Sequence, residues 1–231
     1  MALEQLEILN NEVHKGLHMR ADPGMPHPSF VMTVIGEFAA AACICPIFLA
    51  KAPDTGEFYA GALFGFQPDE MLVEQDSGGW TMFQPLELQR QGFYAAEEHI
   101  AIDPTHRRFG PGAEFPLFED DGTPSNALRR MQRTIGQLSG GIDATRNFIQ
   151  ELLRLGLVEP VDIALEFDDG QNLTLDGLYT VSRDNLNDLG DDDIVALFRN
   201  GYLQAALTLA NSLNQIRVLA RRRNDRLTAG I

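Results

Sequence analysis

The chain has 231 residues, is 44% hydrophobic, and sets 18 basic against 33 acidic residues for a net charge of −15. That is apolar material for one large domain or two small interlocked ones, and the acidic balance argues against nucleic acid as a partner. The charge is uneven: Arg217, Arg221, Arg222, Arg223 and Arg226 face only Asp225 in the tail, a net of +4 that leaves −19 for residues 1–216. The plain reading of that tail is a cationic helix end that complements its macrodipole and pairs with acids elsewhere; a docking patch for an acidic partner is the alternative.

The first residues, Met1 to Ile8, have neither a basic start nor a long apolar run, so no signal peptide is expected. Leu6 to Ile8 and Val13 to Leu17 read as extended. Asp22 to Pro28 holds three prolines, which forbid helix there. A mostly apolar helix is expected near 33–43, ending before Pro46. Its apolar run is too short and too broken by Gly36, Glu37 and Pro46 to span a bilayer. Pro46 to Ala50 and Phe58 to Phe66 read as two strands of a hairpin turning at Pro53 to Gly56. Met71 to Glu74 is expected as a third strand, followed by a turn at Ser77 to Gly79 leading into Trp80. Pro85 to Gln91 suits a short helix, and His99 to Asp103 another strand. Cys43 and Cys45, two apart, cannot readily meet disulfide geometry; they are expected buried, free and reduced.

The second half changes period. Met131, Ile135, Leu138, Ile142, Thr145, Ile149 and Leu152 recur in steps of four and three, a helical seam. Burial of its six large aliphatics gives roughly 9–18 kcal/mol, against about 2 kcal/mol for Gly140-Gly141 in the helix. Packing should win, although a break with Asp143 recapping a second helix is the competing reading. Val161 to Phe167 and Leu173 to Val181 alternate around Asp168-Asp169-Gly170, a strong hairpin signal. Asp191 to Asp193 open a helix at its positive end. After Gly201, Tyr202 to Arg223 reads as one last helix with Leu203, Ala206, Ala210, Leu213 and Ala220 inward. The fold class is therefore α+β: a small antiparallel β part with one packed helix over 1–122, then a mostly helical part over 123–231 carrying the hairpin 161–181, with one interlocked domain as the alternative. The Pro/Gly-rich stretch 104–124 marks the boundary.

In order along the chain come Glu37-Phe38, Pro46-Ile47-Phe48, and a hairpin bearing Leu63-Phe64-Gly65. Trp80 and Pro85 then precede Phe93, and Asp103 ends an apolar strand. Pro116-Leu117-Phe118 with Asp121-Gly122, Gly156-Leu157, Gly177-Leu178-Tyr179 and Ser212-Leu213-Asn214 complete the series. This order resembles the bacterial SapC family over about residues 28–223. Gln91-Gly92 stands where the family tends to have an aromatic residue and proline, and the aspartate strand lacks its usual cysteine. The resemblance implies a link to bacterial surface layers. It also implies gene neighbourhoods shared with outer-membrane receptors and flavin-dependent halogenases of the tryptophan type. It implies no mechanism.

Candidate chemistry is sparse. His14 and His18, four apart, would share one face of a helix as metal ligands do, and His27 with Asp22 could complete a site; solvated loop histidines are the plainer reading. His99, Asp103 and His106 form a second loose cluster. Glu37, inside an apolar helix, needs a partner or a wet pocket; a salt bridge or cap competes with a pocket carboxylate that shuttles a proton. Trp80, with Phe83, suits core packing or a pocket wall. Glu37, Trp80 and Asp103 are the ligand-pocket candidates, and no residue is assigned a catalytic role. There is no nucleophile elbow, no phosphate loop and no dinucleotide fingerprint, so no cofactor is expected. The sequence reads best as a non-catalytic cytoplasmic accessory or binding protein with a protein partner, possible as a homodimer and without a membrane span. It would act beside enzymes or uptake components. The alternatives are a metal-dependent enzyme built on a histidine cluster and a surface-layer or export-associated protein.

Overall fold

A computed structural model describes residues 6–21, 28–73 and 82–229. In chain order the elements begin with β1 (Glu7–Ile8), α1 (Asn11–His14), β2 (His18–Met19), β3 (Phe30–Met32) and α2 (Phe38–Ala41). Next come β4 (Ile47–Lys51), β5 (Phe58–Leu63), α3 (Leu86–Gln89), β6 (Phe93–Ala96), β7 (His99–Ile102) and β8 (Phe115–Pro116). The long α4 (Asn126–Arg154) leads to β9 (Val158–Pro160), β10 (Ile163–Glu166), β11 (Asn172–Leu175) and β12 (Leu178–Val181). The chain closes with α5 (Arg183–Asn187), α6 (Asp191–Arg199), α7 (Tyr202–Ser212) and α8 (Gln215–Ala229). The fold is α+β, with every strand pairing among the described residues antiparallel.

Two compact units emerge. One comprises 1–27 and 86–140, the other 28–85 and 141–231, so each draws on both sides of residue 122. The first unit holds the sheet β1-β7-β6 and the pair β2-β8. Its core is Met19, Phe93, Ile102, Leu117, Phe118 and the inward face of early α4, Leu128, Met131 and Ile135. Arg108 is buried here, its guanidinium donating to the carbonyls of Gln89 and Gln91 at 2.7 and 2.9 Å. That cation fixes the turn from α3 into β6.

The second unit is built on the five-stranded sheet β3-β5-β4-β12-β9. The expected 46–50 and 58–66 hairpin is its centre, with Phe48 opposite Gly61 and Ala50 opposite Tyr59. β10 and β11 form the Asp-Gly hairpin, Leu165 opposite Leu173. Gly177, at φ 72°, then redirects the chain, so 178–181 leaves the hairpin and joins the main sheet beside β4. Phe148 packs edge-on against both Phe38 and Tyr202.

Several expectations are corrected. Val13 to Leu17 is not extended: Asn10 Oδ1 accepts from the amides of Glu12 and Val13 and caps the single turn of α1. The helix near 33–43 shrinks to a 3₁₀ turn, Ile35–Glu37, followed by α2. Within the expected strand Met71 to Glu74, the described part, 71–73, pairs with no strand. Its Leu72 and Val73 are buried, but Asp69 at φ 62° and the Glu70 carboxylate, which accepts from Phe66 N–H, make a tight turn instead. Gly140-Gly141 does not break α4, in line with the packing ledger. The last helix is two helices. Ser212 Oγ donates to Leu209 O and Asn214 Nδ2 to Asn211 O, and these side chains compete with the ladder at 213–214. The inward seam accordingly runs through Ala205, Ala206, Leu209, Ser212, Ile216 and Leu219, and only Ala206 of the expected set is fully buried. Strands β2, β3, β6, β8 and β9 were not foreseen. The Pro-rich residues 22–27 and the turn at 77–79 lie outside the described residues.

Candidate functional site

Glu37 sits in the second unit as the third residue of the 3₁₀ turn. Its Oε2 accepts from Val34 N–H at 3.0 Å and from the Thr33 hydroxyl at 3.1 Å. A carboxylate at the positive end of a helical turn that answers a free amide is a cap. Beside it, Ile35 N–H donates to Thr145 Oγ1 at 2.8 Å, and that hydroxyl donates to Gly141 O at 2.6 Å. Thr145, the one hydroxyl in the aliphatic seam, is buried where it satisfies an amide from another element.

Asp103 lies in the first unit. Its Oδ1 accepts from the amide and hydroxyl of Thr105 at 2.9 and 2.6 Å, closing a turn after β7. Trp80 lies outside the described residues, as do Asp22 and His27. His14 is buried at 5% exposure. With Nε2 protonated, its Nδ1 accepts from Asn10 N–H at 3.2 Å and its Nε2–H donates to Glu7 at 3.1 Å, so both ring nitrogens are engaged. His18 is on β2, exposed, with Nδ1 3.0 Å from Gly16 O. His99 is exposed on β7. Among the described residues no three His, Cys, Asp or Glu side chains converge as a metal cluster.

His106 does approach functional-group chemistry. Its Nδ1 accepts from Arg108 N–H at 3.2 Å. Burial, then the Arg108 charge, hold its pKa below the ordinary imidazole value, which keeps the ring neutral and the acceptor available. The two cysteines part company: Cys43 is exposed, contrary to expectation, and Cys45 is buried with its thiol pushed up to about 12 by desolvation.

The tail arginines serve the fold in part. Arg223 is buried, faces the Glu70 carboxylate at 3.3 Å, donates to Gln171 Oε1 at 2.8 Å and lies 4.3 Å over the Phe167 ring. Arg222 donates to Leu72 O at 3.2 Å, and Arg221 lies 4.0 Å from Asp225. The reading of the tail as a cation set that pairs with acids elsewhere holds for Arg223, which meets Glu70.

Sequence reasoning missed a different cationic group. An open recess of about 610 Å³ lies along the start of α4, lined by Asn126, Arg129, Arg130, Gln132 and Arg133. These side chains are exposed, opposite the buried Leu128 and Met131. The available signal was three arginines within five residues near the positive end of a helix, where acids are the favoured residues.

No helix among the described residues is long and apolar enough to cross a membrane. Neither the proteins of curated function nor the solved structures contain a match to this chain. The sequence profile of the SapC family matches residues 9–219. This chain belongs to the SapC family.

Proposed function

We propose that this SapC-family chain is a non-catalytic accessory or binding protein that works in the cytoplasm beside other enzymes or uptake components, through a protein partner. The observation that carries the reading is the employment of its titratable groups. Glu37, Asp103 and His106 each accept from a backbone amide, of Val34, Thr105 and Arg108 respectively, and both His14 ring nitrogens are engaged, Nδ1 by the Asn10 backbone and Nε2 by Glu7. A group so engaged is positioned by the turn it closes, which supports a structural role for it. These four sustain turns, and their removal should change stability rather than a reaction rate. The family's association with surface layers, receptors and halogenases agrees with a companion role without dictating one.

The test is isolation of the chain at its native level from the producing cell, with metal analysis of the untagged protein. A defined protein companion is expected. A stoichiometric transition metal lost on His14→Gln, or a small-molecule turnover lost with it, would replace this reading with the metal-enzyme one.

A further inference from the structure

We propose that the recess at the start of α4 docks a short acidic segment of a protein partner, with Arg129, Arg130 and Arg133 as the carboxylate-binding groups. This rests on the binding-protein reading and names the chemistry of its partner.

The recess is a positive island in an acidic body. The first unit carries −4 by its residues, so everything in it except these three arginines carries −7. Other helix arginines are paired, Arg90 with Glu87, Arg146 with Asp143, and Arg154 with Glu151 and Asp193. Arg183, Arg199, Arg217 and Arg226 share the absence of an ion pair among the described residues, and the α4 set differs in grouping three such cations within five residues. Acids outnumber bases nearly two to one, yet among the described residues none stands within ion-pair distance of Arg129, Arg130 or Arg133. Arg133 stands three residues from Arg130 and four from Arg129 on the helix, and the three cations repel one another, an arrangement an anion relieves.

Size and charge select the occupant. From Asn126 to Arg133 the helix rises only about 10 Å. Arg129 and Arg133, four apart, are neighbours on the helix surface about 5–6 Å apart at Cβ. Acidic residues at alternate positions of an extended segment recur every ~6.6 Å on one side, a fair match to that pair, and Arg guanidinium groups take carboxylates bidentately. Asn126 and Gln132 add amide donors that can hold the segment's backbone carbonyls. A long polyanion such as a nucleic acid or an anionic membrane would extend past these few charges onto a body of net −15 and be repelled.

The experiment uses the full chain and four probes. These are a fluorescein-labelled 12-residue Ser/Ala/Gly peptide with three glutamates at alternate positions, its glutamine counterpart, a 12-nucleotide oligo(dT), and phosphatidylglycerol vesicles. Fluorescence anisotropy should show the glutamate peptide binding in preference to the other three, more weakly as salt rises. The triple variant Arg129→Gln/Arg130→Gln/Arg133→Gln should weaken it about fivefold or more, as expected for three exposed ion pairs. The same loss in parts is expected from Arg129→Gln and Arg133→Gln singly, which serve if the triple variant folds poorly. Arg217→Gln/Arg226→Gln, two exposed tail cations, should leave binding unchanged. Equal binding of the glutamine peptide up to 1 mM, an unaffected triple variant, or tighter binding of the oligonucleotide or vesicles overturns the proposal. If a native partner is isolated equally by wild type and triple variant, the binding-protein reading survives and this face is not its dock.

Discussion

Gly140 and Gly141 are neighbours in α4, and the structure assigns them opposite responses to alanine. A Cβ at Gly140 would meet nothing within 4 Å, on the exposed face of a regular helix. Alanine there should gain about 0.5–1 kcal/mol by lowering the entropy of the unfolded chain. At Gly141 the added carbon would lie 2.7 Å from Val34 Cγ2 and 2.9 Å from its Cβ. Val34 is 3% exposed and β-branched, attached directly to the Glu37-capped turn, so it has little room to yield. The overpacking should cost about 1–3 kcal/mol, which outweighs the helix-propensity gain. In a chain of this size 1 kcal/mol moves Tm by about 2–4 °C. Thermal unfolding followed by circular dichroism should therefore show Gly140→Ala melting a few degrees above wild type and Gly141→Ala below it. Val34→Ala in the Gly141→Ala background should recover part of the loss, measured as a double-mutant cycle. If the two glycine variants shift Tm in the same direction, the close approach of the 33–37 turn to α4 is wrong.

Thr145→Val should lose about 1 kcal/mol or more because the part-buried Ile35 N–H loses its acceptor, while Thr145→Ser should stay near wild type in chemical denaturation. Ser212→Ala should lose about 1–3 kcal/mol, because its hydroxyl accepts from the fully buried Ile47 N–H at 2.8 Å and joins α7 to β4. Because the folded pKa of His106 lies below its unfolded value of 6.5, its contribution to stability is complete above 6.5 and is lost as pH falls below it. His106→Asn, which retains an acceptor without titrating in that range, should flatten the stability curve between pH 7 and 5.5, and an unchanged curve would remove His106 from the account. Cys43 should label promptly with a thiol reagent at pH 8 and Cys45, held as a thiol by burial, only on unfolding, so that native protein counts one thiol and denatured protein two.

The parts of the fold legible in the sequence were those whose signal is repetitive or chemically punctuated. The aliphatic seam of α4 predicts its helix through both glycines. Pro53 to Gly56 and Asp168-Asp169-Gly170 mark hairpins. Illegible parts depended on partners distant in sequence. Leu72 and Val73 look like a strand, yet the turn before them is held by Glu70, whose carboxylate meets Arg223 from 153 positions away. The 202–223 pattern reads as one helix because period alone does not register that Ser212 is bonded to Ile47. At the level of function, Glu37 and Asp103 were legible as carboxylates needing partners. That the partners are backbone amides was not, because a cap declares itself only once the turn is formed. The α4 arginines were passed over because they stood on the polar side of a strong apolar pattern, where charge is ordinarily solvated.

The central claim, that this chain acts by binding a protein rather than by transforming a small molecule, is tested most directly by reconstitution. The protein co-isolated from the native cell would be purified and titrated calorimetrically against the wild-type chain and against His14→Gln and Asp103→Asn variants that remain folded. The account predicts a complex of defined stoichiometry whose affinity is the same for all three. It is contradicted if no complex re-forms from pure components, or if either substitution abolishes a turnover measurable in the wild-type chain.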